Sequence, residues 1–184
     1  TNRCSCACTF CLRNTKEMLE SNSLWLKREP TVEMIIAEFE KYDLTAFKEV
    51  VFCGFGEPLT RHDDLMKVAK YIKEKRSDLS IRINTNGLSS ITLGRDIAPD
   101  FKGVIDTVSI SLNAPTKEEY YELTRACYGV DSFNYMLQFT KACKKYVPSV
   151  VLTVVDIIGV EKIKLCQKIA DGLGVELRVR PFEE

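Results

Sequence analysis

The sequence predicts an α/β fold with parallel strands, and three observations carry that prediction. Helical patterns alternate with short apolar stretches from residue 30 onward. The short stretches are mostly continuous runs of Val, Ile and Leu rather than in-out alternations, the pattern of parallel strands covered on both sides. Gly, Pro and Asn then close the runs with turns. Right-handed crossovers leave two architectures, a doubly wound open sheet or an open or closed β/α barrel. Either one places ligands at the carboxyl ends of the strands.

Taken in order, Thr31 reads as an N-cap, with Ile35, Ile36, Phe39 and Tyr42 following at helical spacing. Residues 47–53 read as a buried strand stopped by Gly54, Gly56 and Pro58, and residues 64–75 as a helix with Leu65, Val68, Ala69 and Ile72 on one face. The second strand spans 80–84 and ends at Asn86-Gly87; the third spans 104–112. Helices follow over 116–125 and 132–146, with Thr116 and Ser132 as caps. Residues 148–158 form an almost wholly apolar strand, 161–173 a helix closed by Gly172 and Gly174, and 175–180 the last strand.

With 184 residues, 45% of them hydrophobic, the chain fits one domain over 1–184, made of a cysteine loop over 1–29 and β/α repeats over 30–184. Lys plus Arg number 26, as do Asp plus Glu, so no overall field draws nucleic acid or an anionic membrane surface. The basic run 70–76 contains Glu74 and reads as a solvated helix face. Nothing approaches the roughly 18 to 20 apolar residues of a membrane span, and no signal segment opens the chain, so a cytoplasmic protein is expected. Because Thr1 is not an initiator Met and the densest motif begins almost at once, native sequence is expected before it.

Four of the eight cysteines crowd into residues 4–11, which in a reducing compartment points to metal or catalysis rather than disulfides. Cys4, Cys8 and Cys11 follow C-x3-C-x2-C, with Phe10 directly before the last. Thiolates so spaced in a compact loop can converge on one centre; three of them on a 4Fe-4S unit leave one iron open for an exogenous ligand. The alternatives are a zinc-stabilised interaction domain using Cys4, Cys6, Cys8 and Cys11, or four buried thiols. The close alternation does not match paired zinc spacings, and His62 is the only histidine. A doubly wound nucleotide-binding module is a further rival, although neither G-x-G-x-x-G nor a P-loop pattern is present.

Residues 4–11 resemble the C-x3-C-x-aromatic-C signature of the radical S-adenosylmethionine superfamily. Residues 52–58 resemble its Gly-Gly-Glu-Pro motif, with Phe55 separating the two glycines. Residues 84–87 resemble its Thr-Asn-Gly turn, 109–113 its ribose-binding strand, and 155–161 a weak form of its adenine-binding fifth strand. Within the superfamily, residues 1–12, 52–59 and 178–180 look most like the group associated with TatD-type nucleases.

The resemblance implies a partial six-stranded (β/α)6 TIM-like barrel, whose first strand would lie before Thr1. It implies cluster ligation by Cys4, Cys8 and Cys11, and S-adenosylmethionine held by Phe10, Gly54, Phe55, Gly56, Glu57, Pro58, Asn84, Thr85, Asn86, Ser109, Ser111, Asn113, Arg125, Val155 and Ile157. It further implies an electron donor such as flavodoxin or ferredoxin and reductive cleavage of S-adenosylmethionine to a 5'-deoxyadenosyl radical that abstracts hydrogen from an unspecified substrate.

The residue types suit those roles. Glycines at 54 and 56 allow unusual dihedrals and close backbone approach, while Pro58 holds Glu57 extended, giving a rim of carbonyls and a carboxylate. Ser109, Ser111 and Asn113 alternate along a strand and so share one face. Arg178 and Arg180 face one way, to hold either an anionic substrate or an exterior ion pair. Cys53, Cys127, Cys143 and Cys166 are expected to be buried, Cys6 to lie off the ligand pattern, and His62 to begin a helix.

Overall fold

Five strands, β1 (Glu49–Phe52), β2 (Ser80–Thr85), β3 (Thr107–Ser111), β4 (Ser149–Val155) and β5 (Glu176–Arg180), pair side by side in chain order, every pair parallel. The structure is a computed structural model that describes residues 1–15 and 23–182; residues 16–22 of the expected cysteine loop and 183–184 of the last expected repeat lie outside the described residues. The helices are α1 (Leu12–Thr15), α2 (Val32–Phe39), α3 (His62–Lys75), α4 (Ser89–Leu93), α5 (Lys117–Thr124), α6 (Ser132–Cys143) and α7 (Val160–Leu173).

This strand order decides between the two architectures. A doubly wound sheet reverses direction at a switch point, whereas an unreversed order with crossovers of one hand puts every helix on the same face and curls the sheet toward a barrel. The helices therefore cover one face, and β4, buried from Val150 to Val155, is covered on both sides as expected. Residues in register point the same way, and the row Ile83, Val108, Val150 joins the hydrophobic core with Leu65, Val68, Ile72, Met136, Phe139 and Ala170 from the helices. Full burial of each such Val, Leu, Ile, Met or Phe side chain contributes about 1.5 to 3 kcal/mol. The alternate rows are polar: Arg82 is in register with Thr107 and Ser149, and Asn84 with Ser109, Val151 and Glu176. Val151 is buried yet stands outside the helix-facing core.

Strand β2 shows the in-out alternation most clearly, with Ile81, Ile83 and Thr85 buried and Arg82 and Asn84 half-buried. On the helix-free face Arg82 donates to Glu49 across the strands at 2.6 Å. At the same end of β2, Asp106 Oδ2 accepts from Ile81 N–H at 2.7 Å and from Lys73 Nζ at 2.8 Å, tying the strand start to α3.

Boundaries differ from the expected ones where a turn competes with the pattern. Residues 104 and 105 are not strand: their N–H groups both donate to Phe101 C=O after Gly103 turns at φ 73°. The fourth strand stops at Val155, and Asp156–Ile158 forms a 3-10 turn. Helix α2 ends before Tyr42, and α6 ends at Cys143 rather than 146. Thr31 and Thr116 cap their helices as expected, accepting from Met34 and Glu119 N–H. Ser132 does not cap; it is the first residue of α6, and its buried Oγ has no partner. His62 does begin α3, but it is buried and bonded to Asp100 at 2.8 Å.

Candidate active site

The cysteine loop lies across the carboxyl ends of the strands because its backbone is hydrogen-bonded there. Ala7 and Thr9 N–H donate to the carbonyls of Thr124 and Leu123 at the end of α5, both at 2.9 Å, and Cys127 N–H returns a bond to Ser5 C=O at 2.9 Å. Glu57 N–H donates to Arg3 C=O at 2.8 Å. Loop, glycine turn and α5 terminus thus form one unit.

The two glycines of the 54–58 turn act differently from expectation. Neither has a positive φ, so unusual dihedrals are not their purpose. A Cβ on Gly56 would lie 2.4 Å from Thr1 C=O and 2.5 Å from Arg3 C=O, so this glycine is required by close approach of the cysteine loop itself. Gly54 is under milder pressure, with Gly56 O 3.1 Å from its ideal Cβ.

Pro58 opens a 3-10 turn and Glu57 is extended, φ −90° and ψ 113°, as expected. The Glu57 carboxylate, however, is 4% exposed and faces inward. Its Oε1 accepts from Thr85 Oγ1 at 2.7 Å and Leu59 N–H at 3.1 Å, and its Oε2 from Asn86 N–H at 2.8 Å. Burial lifts its pKa to about 7 in spite of the three donors. The carboxylate therefore welds the first and second strand ends, and the acceptors left at the rim are backbone carbonyls.

The 84–87 turn completes the weld. Thr85 Oγ1 accepts from Gly87 N–H at 3.1 Å, and Gly87, at φ 78°, approaches Ile110 and Met136 too closely for a Cβ. Asn86 accepts from Leu88 N–H at 3.0 Å and donates to Ser5 Oγ at 3.0 Å, with Cys6 and Cys4 sulfurs 3.6 and 3.8 Å from the same amide nitrogen. One amide thus spans from the second strand's turn to the cysteine loop.

Cys4 is exposed and Cys6, Cys8 and Cys11 half-buried. The Cys6 thiol donates to both neighbours; that hydrogen bond lowers Cys4 to about 6 and also lowers Cys8, while Cys6 itself is raised by donating. Burial raises Cys11. The shifts at Cys4 and Cys8 are toward the thiolate, the form that ligates iron. Among the described residues no three Cys, His, Asp or Glu side chains form a group that could hold a metal ion, as a structural zinc knot requires. A cluster distributes its thiolates over separate irons and does not need them to meet at one point.

Ser109 and Ser111 share the helix-free face, but Asn113 lies beyond the strand, at φ 59°, so it does not continue the alternation. Asn84 Oδ1 and Asn113 Oδ1 are buried with no partner in the protein. Two orphaned acceptors on the β2 and β3 ends fit a hydroxyl- and amine-bearing ligand, since a buried acceptor left unpaired costs about 1 to 3 kcal/mol. The donor set of the loop and these acceptors together fit a 4Fe-4S cluster and S-adenosylmethionine.

The remaining expected residues scatter more. Phe10, Phe55 and Pro58 are half-buried, and Val155 is buried on the helix-free face, whereas Ile157 is 45% exposed in the 3-10 turn. Arg125 is exposed and left-handed at the end of α5. Arg178 and Arg180 do share a face and are exposed. Cys143 and Cys166 are buried as expected; Cys53 and Cys127 are exposed, because each follows the end of its element rather than packing inside it. Spacing gave no warning of Trp25 and Arg13. The ring of Trp25, the sole tryptophan, meets Phe55 edge-on at 4.7 Å, and the Arg13 guanidinium lies over Trp25 at 4.7 Å.

The sequence model of the radical SAM superfamily matches residues 1–166. The chain belongs to the radical SAM superfamily. Enzymes of this superfamily use a 4Fe-4S cluster and S-adenosylmethionine. A protein of Thermococcus kodakarensis named "Probable GTP 3',8-cyclase" is 30% identical over 152 residues, covering 83% of this chain and 44% of that protein. Among solved structures, methylornithine synthase (PylB) superposes with a TM-score of 0.71 at 17% identity, over 99% of this chain and 51% of that one. Streptococcus suis SuiB bound to S-adenosylmethionine gives 0.65 at 17% identity, over 100% and 38%. These likenesses establish the partial barrel fold. The chain spans about half the length of the curated relatives it matches.

Proposed function

We propose that this chain is the catalytic core of a radical SAM enzyme, with Cys4, Cys8 and Cys11 as the cluster ligands. When bound, the reduced cluster supplies the electron that cleaves S-adenosylmethionine to methionine and a 5'-deoxyadenosyl radical, which abstracts hydrogen from a substrate. The observation that carries the reading is the docking of the cysteine loop onto the strand ends, through Arg3 C=O to Glu57 N–H and Asn86 to Ser5, with two orphaned acceptors at the carboxyl ends of β2 and β3.

The protein's own part is binding, orientation and exclusion of water. Carbonyls of Gly54, Phe55 and Gly56 form the rim for the ammonium group of the methionyl moiety. Glu57 and Pro58 fix that rim from behind, and Thr85 and Asn86 hold it against the loop. Asn84, Ser109, Ser111 and Asn113 present hydroxyl and amide groups to ribose and carboxylate, Val155 and Ile157 line the adenine side, Phe10 packs within the cysteine motif, and Arg125 is a cation for the carboxylate.

Residues 1–184 belong to a single radical SAM core domain, and the motif phrasing supports a member of the TatD-nuclease-associated group working in the cytoplasm with a flavodoxin- or ferredoxin-like donor. Among the described residues no helix is long and apolar enough to cross a membrane.

Anaerobic reconstitution with iron and sulfide tests the reading. A brown protein with about four irons per chain is expected, and addition of S-adenosylmethionine should alter the electron paramagnetic resonance (EPR) signal of the reduced cluster. A colourless protein binding only zinc would reject it.

A further inference from the structure

We infer that Arg13, clamped against Trp25 and Phe55, is a positioning residue that raises the reduction potential of the cluster. This inference rests on the cluster reading above. Arg13 follows Cys11 by two residues on α1, and its guanidinium carbon lies 4.7 Å from the Trp25 ring centroid and 6.0 Å from that of Phe55. The two rings brace one another at 85°. Trp25 is held in turn because the flanking residue Leu26 exchanges two hydrogen bonds with the Asn2 side chain, at 2.8 and 3.0 Å, just before the first cysteine.

An arginine free in solvent is screened and mobile; one stacked on aromatic faces keeps its charge at a fixed place. That place is beside the ligands: Arg13 follows Cys11 by two residues, and Phe55, over which it lies, precedes the Gly56 that packs against the backbone of Arg3, the residue before Cys4. A 4Fe-4S centre on three thiolates gains one negative charge on reduction, so a fixed cation favours the reduced form and raises the potential. The arrangement also explains Phe55. It separates two glycines that the family motif places together, and its ring supplies one wall of the clamp.

The test is an EPR-monitored redox titration of the reconstituted full chain and its Arg13→Gln, Arg13→Lys and Trp25→Leu variants, with iron content measured on each sample. Arg13→Gln should shift the midpoint to lower potential, and Arg13→Lys should stay nearer the parent. Trp25→Leu should shift it partway and make it more dependent on ionic strength, because the released cation is screened. Equal midpoints in the parent and Arg13→Gln, with iron loading intact, overturn the inference. Should Arg13→Gln fail to load iron, an unchanged and salt-insensitive midpoint in Trp25→Leu overturns it equally. A parent chain that never acquires iron refutes the cluster reading and this inference with it, and iron analysis distinguishes that failure from a null shift.

Discussion

Replacing Gly56 with Ala tests how the cysteine loop is seated. The added Cβ would stand 2.4 Å from Thr1 C=O, 2.5 Å from Arg3 C=O and 3.1 Å from Arg3 N, against a preferred separation of roughly 3.5 Å. All three neighbours are backbone, so no side-chain rotation relieves the overlap. The chain has two responses. It keeps the contact and bears overpacking of about 1 to 3 kcal/mol, or it lifts residues 1–3 and loses the Glu57 N–H to Arg3 C=O bond, 2.8 Å long, at about 1 kcal/mol. A loss of about 2 kcal/mol and a Tm lower by about 4 to 8 °C are expected, with reduced iron per chain after reconstitution because the loop bearing Cys4 is displaced. Gly54→Ala meets one tight contact, at 3.1 Å, and should lose less on both measures. Differential scanning calorimetry and iron analysis read both quantities. A Gly56→Ala protein with parental Tm and parental iron would refute the argument that this glycine exists for close approach.

The remaining predictions concern the buried polar groups. Glu57 has a folded pKa of about 7 against an ordinary 4.5, so its neutral form is favoured in the fold; that contribution is fully present below the unfolded value and is lost as pH rises through the folded one. Urea unfolding should show the parent losing about 3 kcal/mol between pH 4.5 and 8 that Glu57→Gln does not lose; parallel profiles would count against it. Asn113→Gly keeps the φ of 59° without strain while deleting the orphaned Oδ1, so stability should hold while Kd for S-adenosylmethionine rises about tenfold by calorimetric titration; an unchanged Kd removes Asn113 from the binding set. Asp106→Ala strands Ile81 N–H and leaves Lys73 Nζ with Leu79 C=O as its acceptor; it should cost about 2 kcal/mol in urea unfolding with iron loading unchanged, because it sits at the opposite end of β2.

Most of the site was legible because its chemistry is local in sequence. Cys4, Cys8 and Cys11 span eight residues, and the Gly54–Pro58 and Asn84–Gly87 turns are each written in residues whose conformational needs are readable one at a time. Thr31 and Thr116 announced their helices because a cap is a contact over three residues. Ser132 has the same chemistry at the same kind of boundary and does not cap, because α6 begins one residue earlier, out of a preceding 3-10 turn. Strand ends were misjudged where apolar residues were recruited by a turn, as at 104–105.

The sequence by itself determined the alternation of strands and helices, the parallel sheet and the donor set of the loop, since each depends on the side chains of one short segment. Only the tertiary structure decided which face of the sheet the helices cover, because that follows from the strand order, and continuous apolar runs in β4 mask the polar face supplied by Arg82, Asn84, Ser109 and Arg178 on its neighbours. It alone decided that Glu57 turns inward to Thr85 and Asn86 rather than outward, and that Arg13 meets Trp25 and Phe55 beside the cysteines. Those are contacts between segments distant in the chain, and residue type fixes what a side chain can bond, not which of several partners the folded backbone brings within reach.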